Sequence, residues 1–155
     1  MKKMQIVVSD FEAYKRPFSI GSILYIECDN RYFPDYRWVD LTSEVLEMWL
    51  KDMIGLLYSA NDQVNLNFMD GDYSLRLTLC ENDSINAIWI ENKKEITFFD
   101  TIDLLHFCRQ LLTAATHLMN HAQKEGDQQT AYRISEQILT FRNAYQKAKQ
   151  TTAKK

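Results

Sequence analysis

The segment that most limits what this chain can fold into is SEVLEMWLKDMIGLLY, residues 43–58, whose apolar positions surround more than half of a helix. Val45, Leu46, Met48, Trp49, Leu50, Met53, Ile54, Leu56 and Leu57 leave Glu44, Glu47 and Lys51 as a narrow polar stripe, with Glu47 and Lys51 spaced as a favourable i,i+4 pair. Such a helix must be covered on several sides. It is expected at the centre of the domain, packed on a sheet and under further helices. Thr42 or Ser43 is the expected N-cap, and Glu44 and Glu47 place negative charge where the helix dipole favours it.

Ahead of this helix, Met4–Val8 reads as a short strand, Asp10–Ser19 as a loop containing Pro17, and Ile20–Cys28 as a stronger strand rich in β-branched and aromatic residues. Asp29-Asn30 is a turn pair that reverses the chain into Arg31–Phe33, and Pro34 ends that strand. After the helix come four segments with the two-residue period of half-buried strands: Val64–Met69, Tyr73–Cys80, Ile85–Ile90 and Glu95–Phe99. Their connections are short and polar, which is the pattern of an antiparallel meander. The third is apolar on both faces and is expected in the middle of the sheet.

Asp100 then stands as N-cap for a helix from Thr101 to about Lys124, and Gly126-Asp127 separates it from a last helix over about Gln128–Lys149. In the last helix Ala131, Ile134, Ile138, Phe141, Tyr145 and Ala148 form a narrow seam, suited to a single neighbour. The expected fold class is therefore α+β: an antiparallel meander sheet, a central buried helix and a C-terminal antiparallel helix pair. One domain spans residues 1–150, and 151–155 are expected to form a disordered basic tail.

At 155 residues the chain has enough length for one sizeable core. Its two early lysines precede an apolar run far too short for a secretory signal, and no run is long enough to span a membrane. Cys28, Cys80 and Cys108 are odd in number and widely spaced, which suggests neither a disulfide framework nor a zinc knuckle and fits a reducing cytoplasm. The net charge of -3 conceals an asymmetry: residues 27–103 carry 6 basic and 16 acidic groups, whereas 104–155 carry 8 and 3. An acidic middle opposes nucleic acid and attracts a basic protein surface.

Catalytic patterns are thin. Asp35, with Glu91-Asn92-Lys93 downstream, matches the layout of metal-dependent nucleases, in which two acids hold Mg²⁺ and a lysine stands beside the attacking water. Glu91–Lys93, however, falls in an expected hairpin turn. His117 and His121 are four apart on a helix without a third ligand, and with His106, Gln110, Thr113 and Lys124 they read as a wet stripe. Asp70-Gly71-Asp72 reads as a turn rather than a calcium loop. No metal and no cofactor is expected.

What remains is recognition. Tyr32, Phe33, Tyr36 and Trp38, interleaved with Asp35, Arg37 and Asp40, have the composition of a binding hot spot. Phe33 and Trp38 read as staples onto the core, leaving Asp35, Tyr36, Arg37 and Asp40 as contact candidates.

The string FPDYRWVDLTSEVLEMWL, followed by LNFMDGDYSLRL, resembles small bacterial proteins with an F-P-D-x-x-W-x-D segment, a V-L-x-x-W-L helix and an F-M-D-G-x-Y hairpin. Those resemble immunity proteins of polymorphic toxin and contact-dependent inhibition systems, and the likeness covers roughly residues 25–120. It implies a non-enzymatic protein that binds one cognate toxin domain, itself basic if the toxin is a nuclease. Asp35, Tyr36, Arg37, Asp40, Asp70, Asp72, Tyr73, Glu81 and Asp83 are the expected partner contacts. An adaptor with a non-toxin partner, and a metal-dependent nuclease using Asp35, Glu91 and Lys93, stay open. The oligomeric state is not legible.

Overall fold

The computed structural model describes residues 1–13 and 19–153. In chain order it contains β1 (Gln5–Ala13), β2 (Ile20–Cys28), β3 (Arg31–Phe33), β4 (Val39–Asp40), α1 (Thr42–Leu57), β5 (Gln63–Asn67), β6 (Tyr73–Leu79), β7 (Ser84–Glu91), β8 (Lys94–Asp103), α2 (Leu104–Lys124) and α3 (Gln128–Ala153). The fold is α+β, with the helix pair following the strands. The strands form two antiparallel sheets. One has β2 at its centre, with β1 on one side and β3 and β4 on the other; the second is the consecutive meander β5-β6-β7-β8. As its two apolar faces required, β7 is an interior strand.

Backbone chemistry explains the tight reversals. Asp29 and Asn30 both adopt positive φ between β2 and β3, and Asn92 and Lys93 do the same between β7 and β8, the geometry whose twist matches a two-residue hairpin. Between β5 and β6, Gly71 has φ +89, and a Cβ there would meet the Tyr73 ring at 2.5 Å. Only glycine fits.

Trp49, Leu50, Met53, Val45 and Leu46 of α1 are fully buried. The helix packs against β2, β5, α2 and α3, so its broad apolar circumference is matched by four neighbours. Glu47, on the narrow polar stripe, lies 3.9 Å from Lys51 and 3.4 Å from Arg133 of α3.

Several boundaries move. β1 runs on to Ala13 through an irregularity between Ser9 and Glu12, so Asp10–Ala13 is strand rather than loop; residues 14–18 of that expected loop lie outside the described residues. Thr42 and Ser43 do not cap α1. Both are fully buried: Ser43 Oγ accepts from the Ile20 backbone N–H at 2.9 Å, and Thr42 Oγ1 meets Ser22 Oγ, so the hydroxyls join the helix start to β2. Asp100 is not the cap of α2 either. β8 continues three residues past it, and Asp103 Oδ1 accepts from His106 N at 3.0 Å.

The last helix is not an outer layer on one neighbour. Ile134, Phe141, Ala144 and Tyr145 are buried, and α3 packs on α1 as well as α2. Its helix persists through Thr151–Ala153, where a frayed tail was expected; Lys154 and Lys155 lie outside the described residues.

Removing the real cap separates it from the apparent one. Asp103→Ala is expected to cost about 1 kcal/mol in urea unfolding, while Asp100→Ala, which removes an exposed carboxylate, produces no comparable shift in the midpoint.

Candidate functional site

The β3–β4 connection is built from side chains that bond to their own backbone. Asp35 Oδ1 accepts from Tyr36 N at 2.7 Å, Trp38 N donates to Asp35 O at 3.2 Å, and Arg37 takes positive φ (57°). Leu24 N then donates to Trp38 O at 2.7 Å, which fastens the loop to β2. On the surface, the Arg37 guanidinium pairs with Asp10 at 3.1 Å.

This geometry places Tyr36 over the outward face of the first sheet. Tyr25, Tyr32 and Tyr36 form a three-ring cluster with centroids 5.1 to 5.9 Å apart. Tyr25 is buried beneath the other two, while Tyr36 is 57% exposed and Val39 52%. Burial, with Tyr36, Glu27 and Tyr32 nearby, raises the Tyr25 phenol above its ordinary value. The cluster presents two partly solvated phenols on a packed base, a rigid amphipathic surface of the kind that dominates protein interfaces.

Asp40 is corrected outright. It is 2% exposed and points inward. Its carboxylate accepts from Leu41 N at 2.7 Å, Trp38 Nε1 at 3.1 Å, and Met69 N and Asp70 N at 3.2 Å. It is a structural clamp between the β3–β4 loop, the start of α1 and the β5–β6 hairpin. Tyr73 is likewise half-buried, with Trp38 at 5.2 Å on one side and Trp89 stacked at 6.1 Å on the other, so its ring packs inward. Phe33 and Trp38 are the staples expected: Phe33 is buried against Trp89 and Phe99.

The remaining candidates divide between two ends of β6. Asp70 and Asp72 are exposed on the hairpin that Asp40 ties to the tyrosine loop, so they accompany Asp35, Tyr36 and Arg37. Glu81 and Asp83 follow the far end of β6, about 20 Å away along a seven-residue strand. There they line a cleft of about 590 Å³ with Leu57, Tyr58, Cys80 and Lys147, whose ammonium lies 5.7 Å from the Tyr58 ring centre. A single acidic rim is thus not formed.

The acids of the nuclease pattern face other work. Asp35 bonds to Tyr36 N, Glu91 Oε1 accepts from Trp89 Nε1 at 2.9 Å, and Lys93 sits in a turn at φ 67°. Among the described residues no three His, Cys, Asp or Glu side chains are arranged to hold a metal ion. The histidine stripe of α2 is partly covered: His121 stacks on Phe11 at 5.0 Å, and Gln110 Oε1 accepts from Ile6 N of β1. Burial and the neighbouring Arg109 lower the pKa of His106.

One surface was missed. On the open face of the second sheet, Ile96 and Phe98 of the edge strand β8 are 53% and 59% exposed, beside Ile88 and the Arg76–Glu95 ion pair. Apolar residues at alternate positions opposite the core face, in Glu95–Phe99, were the available signal. Arg31 of β3 reaches Thr97 of β8 at 3.4 Å, but Thr97 alternates with Ile96 and Phe98, so that contact lies on the other face of β8 from the patch.

Asp40→Ala would strand three backbone N–H groups and the Trp38 indole. A loss of about 3 kcal/mol in denaturant unfolding is expected, far more than for Asp70→Ala or Asp72→Ala on the exposed turn.

No protein-family model, no curated protein and no solved structure matches this chain.

Proposed function

We propose that this chain is a cytoplasmic immunity protein that binds one cognate toxin domain and neutralises it by covering its active surface, acting as a binder rather than an enzyme. The observation that carries the reading is the exposed Tyr32–Tyr36 pair, held on a buried Tyr25, with Asp35 in the same loop and Asp70 and Asp72 exposed on the hairpin that Asp40 bonds to it. Aromatic anchors on a fixed base lose little side-chain entropy on association. Their acidic surround favours a basic partner such as a nuclease toxin, and speeds the encounter with it. The likeness of the F-P-D-x-x-W-x-D, V-L-x-x-W-L and F-M-D-G-x-Y segments to immunity proteins supplies the class of partner.

In this reading Asp40 and Tyr73 position the surface without touching the partner, and Arg37 is a rim residue paired with Asp10. Glu81 and Asp83 stand outside it.

Co-expression with the product of the adjacent gene tests the class of partner, with complex formation and survival as readouts; neither a complex nor protection would end the proposal. Within a complex, Tyr36→Ala should weaken binding about 30-fold, the effect of a hot-spot residue. Charge reversal at Asp35, Asp70 and Asp72 should slow association and flatten its salt dependence, while reversal at Glu81 and Asp83 leaves both as they were. Loss of binding through Glu81 and Asp83 alone would place the interface at the other end of β6.

A further inference from the structure

The helix pair carries a charge pattern opposite to that of the rest of the chain. Leu104–Lys124 of α2 contains no aspartate or glutamate, and Gln128–Ala153 of α3 contains only Glu136. The same two helices supply Arg109, Lys124, Arg133, Arg142, Lys147 and Lys149. Where α2 and α3 lie side by side, a hollow of about 280 Å³ opens to solvent between them, lined by Leu112, Thr113, Thr116, His117 and Arg142. No carboxylate lines it.

Helical spacing sorts these side chains into a floor and two walls. Leu112 and Thr116, four apart, are half-buried, and Thr116 Oγ1 donates to Leu112 O at 2.8 Å, so its proton is engaged within its own helix. Thr113 and His117, also four apart, are exposed along the α2 wall, and the exposed Arg142 guanidinium belongs to the α3 wall. Among the described residues the side chains of Thr113, His117 and Arg142 make no hydrogen bond or ion pair. Glu136 stands six residues before Arg142, about 120° around the helix from it, and is not part of the wall. Arg109, one turn before Thr113, and Lys149, two turns beyond Arg142, are exposed on the same sides and add positive charge.

We propose that this hollow binds the phosphoryl group of a small phosphorylated molecule. Arg142 can give two parallel N–H bonds to phosphate oxygens, the planar fork that a phosphate matches. The Thr113 hydroxyl and the His117 ring N–H donate from the facing wall, so donors approach from separate directions, as a tetrahedral oxyanion requires. A planar carboxylate would be satisfied by the guanidinium alone and would leave the α2 wall unused. The double negative charge of a phosphomonoester is tolerated here because the lining holds no acid, whereas segment 27–103, with 16 acidic residues against 6 basic, would repel it. Protonated His117 would add a second cation. The hollow is small and open, so it holds the phosphoryl group and leaves the body of the ligand in solvent. None of its residues belongs to the tyrosine cluster, and the inference is independent of the toxin reading.

Titration of the isotope-labelled full chain at neutral pH and constant ionic strength, followed by NMR at the Thr113 and His117 amides and the Arg142 Nε–H, provides the test. Inorganic phosphate and phosphoserine are expected to give saturable shifts with a dissociation constant of about 1 mM, and acetate one at least about tenfold weaker. Arg142→Gln should weaken phosphate binding about tenfold, and Thr113→Val and His117→Gln about threefold each, while Arg76→Gln on the second sheet leaves it unchanged. Circular dichroism shows that each variant is folded. Absence of saturable shifts at these three residues up to about 50 mM phosphate overturns the proposal. So does acetate binding as tightly as phosphate, or an Arg142→Gln chain that binds like the wild type. Phosphatidylcholine vesicles containing phosphatidic acid separate the sources: a chain that sediments with them yet ignores both soluble phosphates recognises a lipid surface, and the small-molecule site falls.

Discussion

The fold depends on the ring lattice around Trp89. This side chain is fully buried in the interior strand β7, with Phe33 of the first sheet at 4.9 Å, Phe68 at 5.7 Å and Tyr73 at 6.1 Å between centroids. Phe68 in turn meets Trp49 of α1 edge-on at 5.1 Å, and Phe33 meets Phe99 of β8. Each such pair contributes about 0.5–1.5 kcal/mol beyond its area burial. Two indole N–H groups are satisfied inside this apolar lattice, Trp49 by Asn67 O and Trp89 by Glu91 Oε1. Burial of such polar edges costs free energy unless they are bonded, so the bonds fix each ring's orientation as well as its depth. The lattice joins the two sheets and the central helix, and every surface feature is placed relative to it.

Asp40 extends that order to the surface. A lone buried carboxylate is expensive, but four N–H donors converging on it replace the lost hydration. The consequence is positional: the loop carrying Tyr36 and the hairpin carrying Asp70 and Asp72 are bonded to the same two oxygens. Loops held in this way pay little ordering entropy when a partner arrives. Trp38, set edge-on against Tyr73, has the same effect through packing.

Periodicity made the centre of this architecture legible in the sequence. The span of β2, the end of α1 and the interior place of β7 follow from patterns that burial alone decides, because an element apolar on most sides can only sit inside. The misplaced features involve polar groups whose role depends on what lies across from them. Ser43 looked like a cap because the local sequence shows no partner, yet Ile20 N stands opposite it. Asp103 fell in the first turn of the expected helix because Asp100 offered an equally good cap three residues earlier; the pairing of Ser84 with Asp103 and of Ile85 with Ile102 extends the strand and settles the choice. The seam of α3 was read as narrow because Ala144 and Thr130 do not look like core residues, although both are buried.

The same limit governs the candidate site. Acidic residues were summed along the chain as if they made one field, but the fold assigns them separate tasks. Asp40 faces inward, Glu47 meets Arg133 under α3, Asp103 caps a helix, Glu91 holds an indole and Glu95 pairs with Arg76. What survives on the tyrosine side is Glu27 opposite Tyr32 and Asp35 in the loop, with Asp70 and Asp72 on the hairpin that Asp40 ties to that loop, too few to give tight binding by Coulomb attraction in water. Long-range charge at this site can hasten encounter, whereas residence time must come from desolvated contact. That weight falls on Tyr36, Tyr32 and Val39, the exposed apolar side chains of the tyrosine-bearing sheet. The arrangement therefore places recognition in aromatic and aliphatic surface positioned by the buried lattice, with charge serving approach.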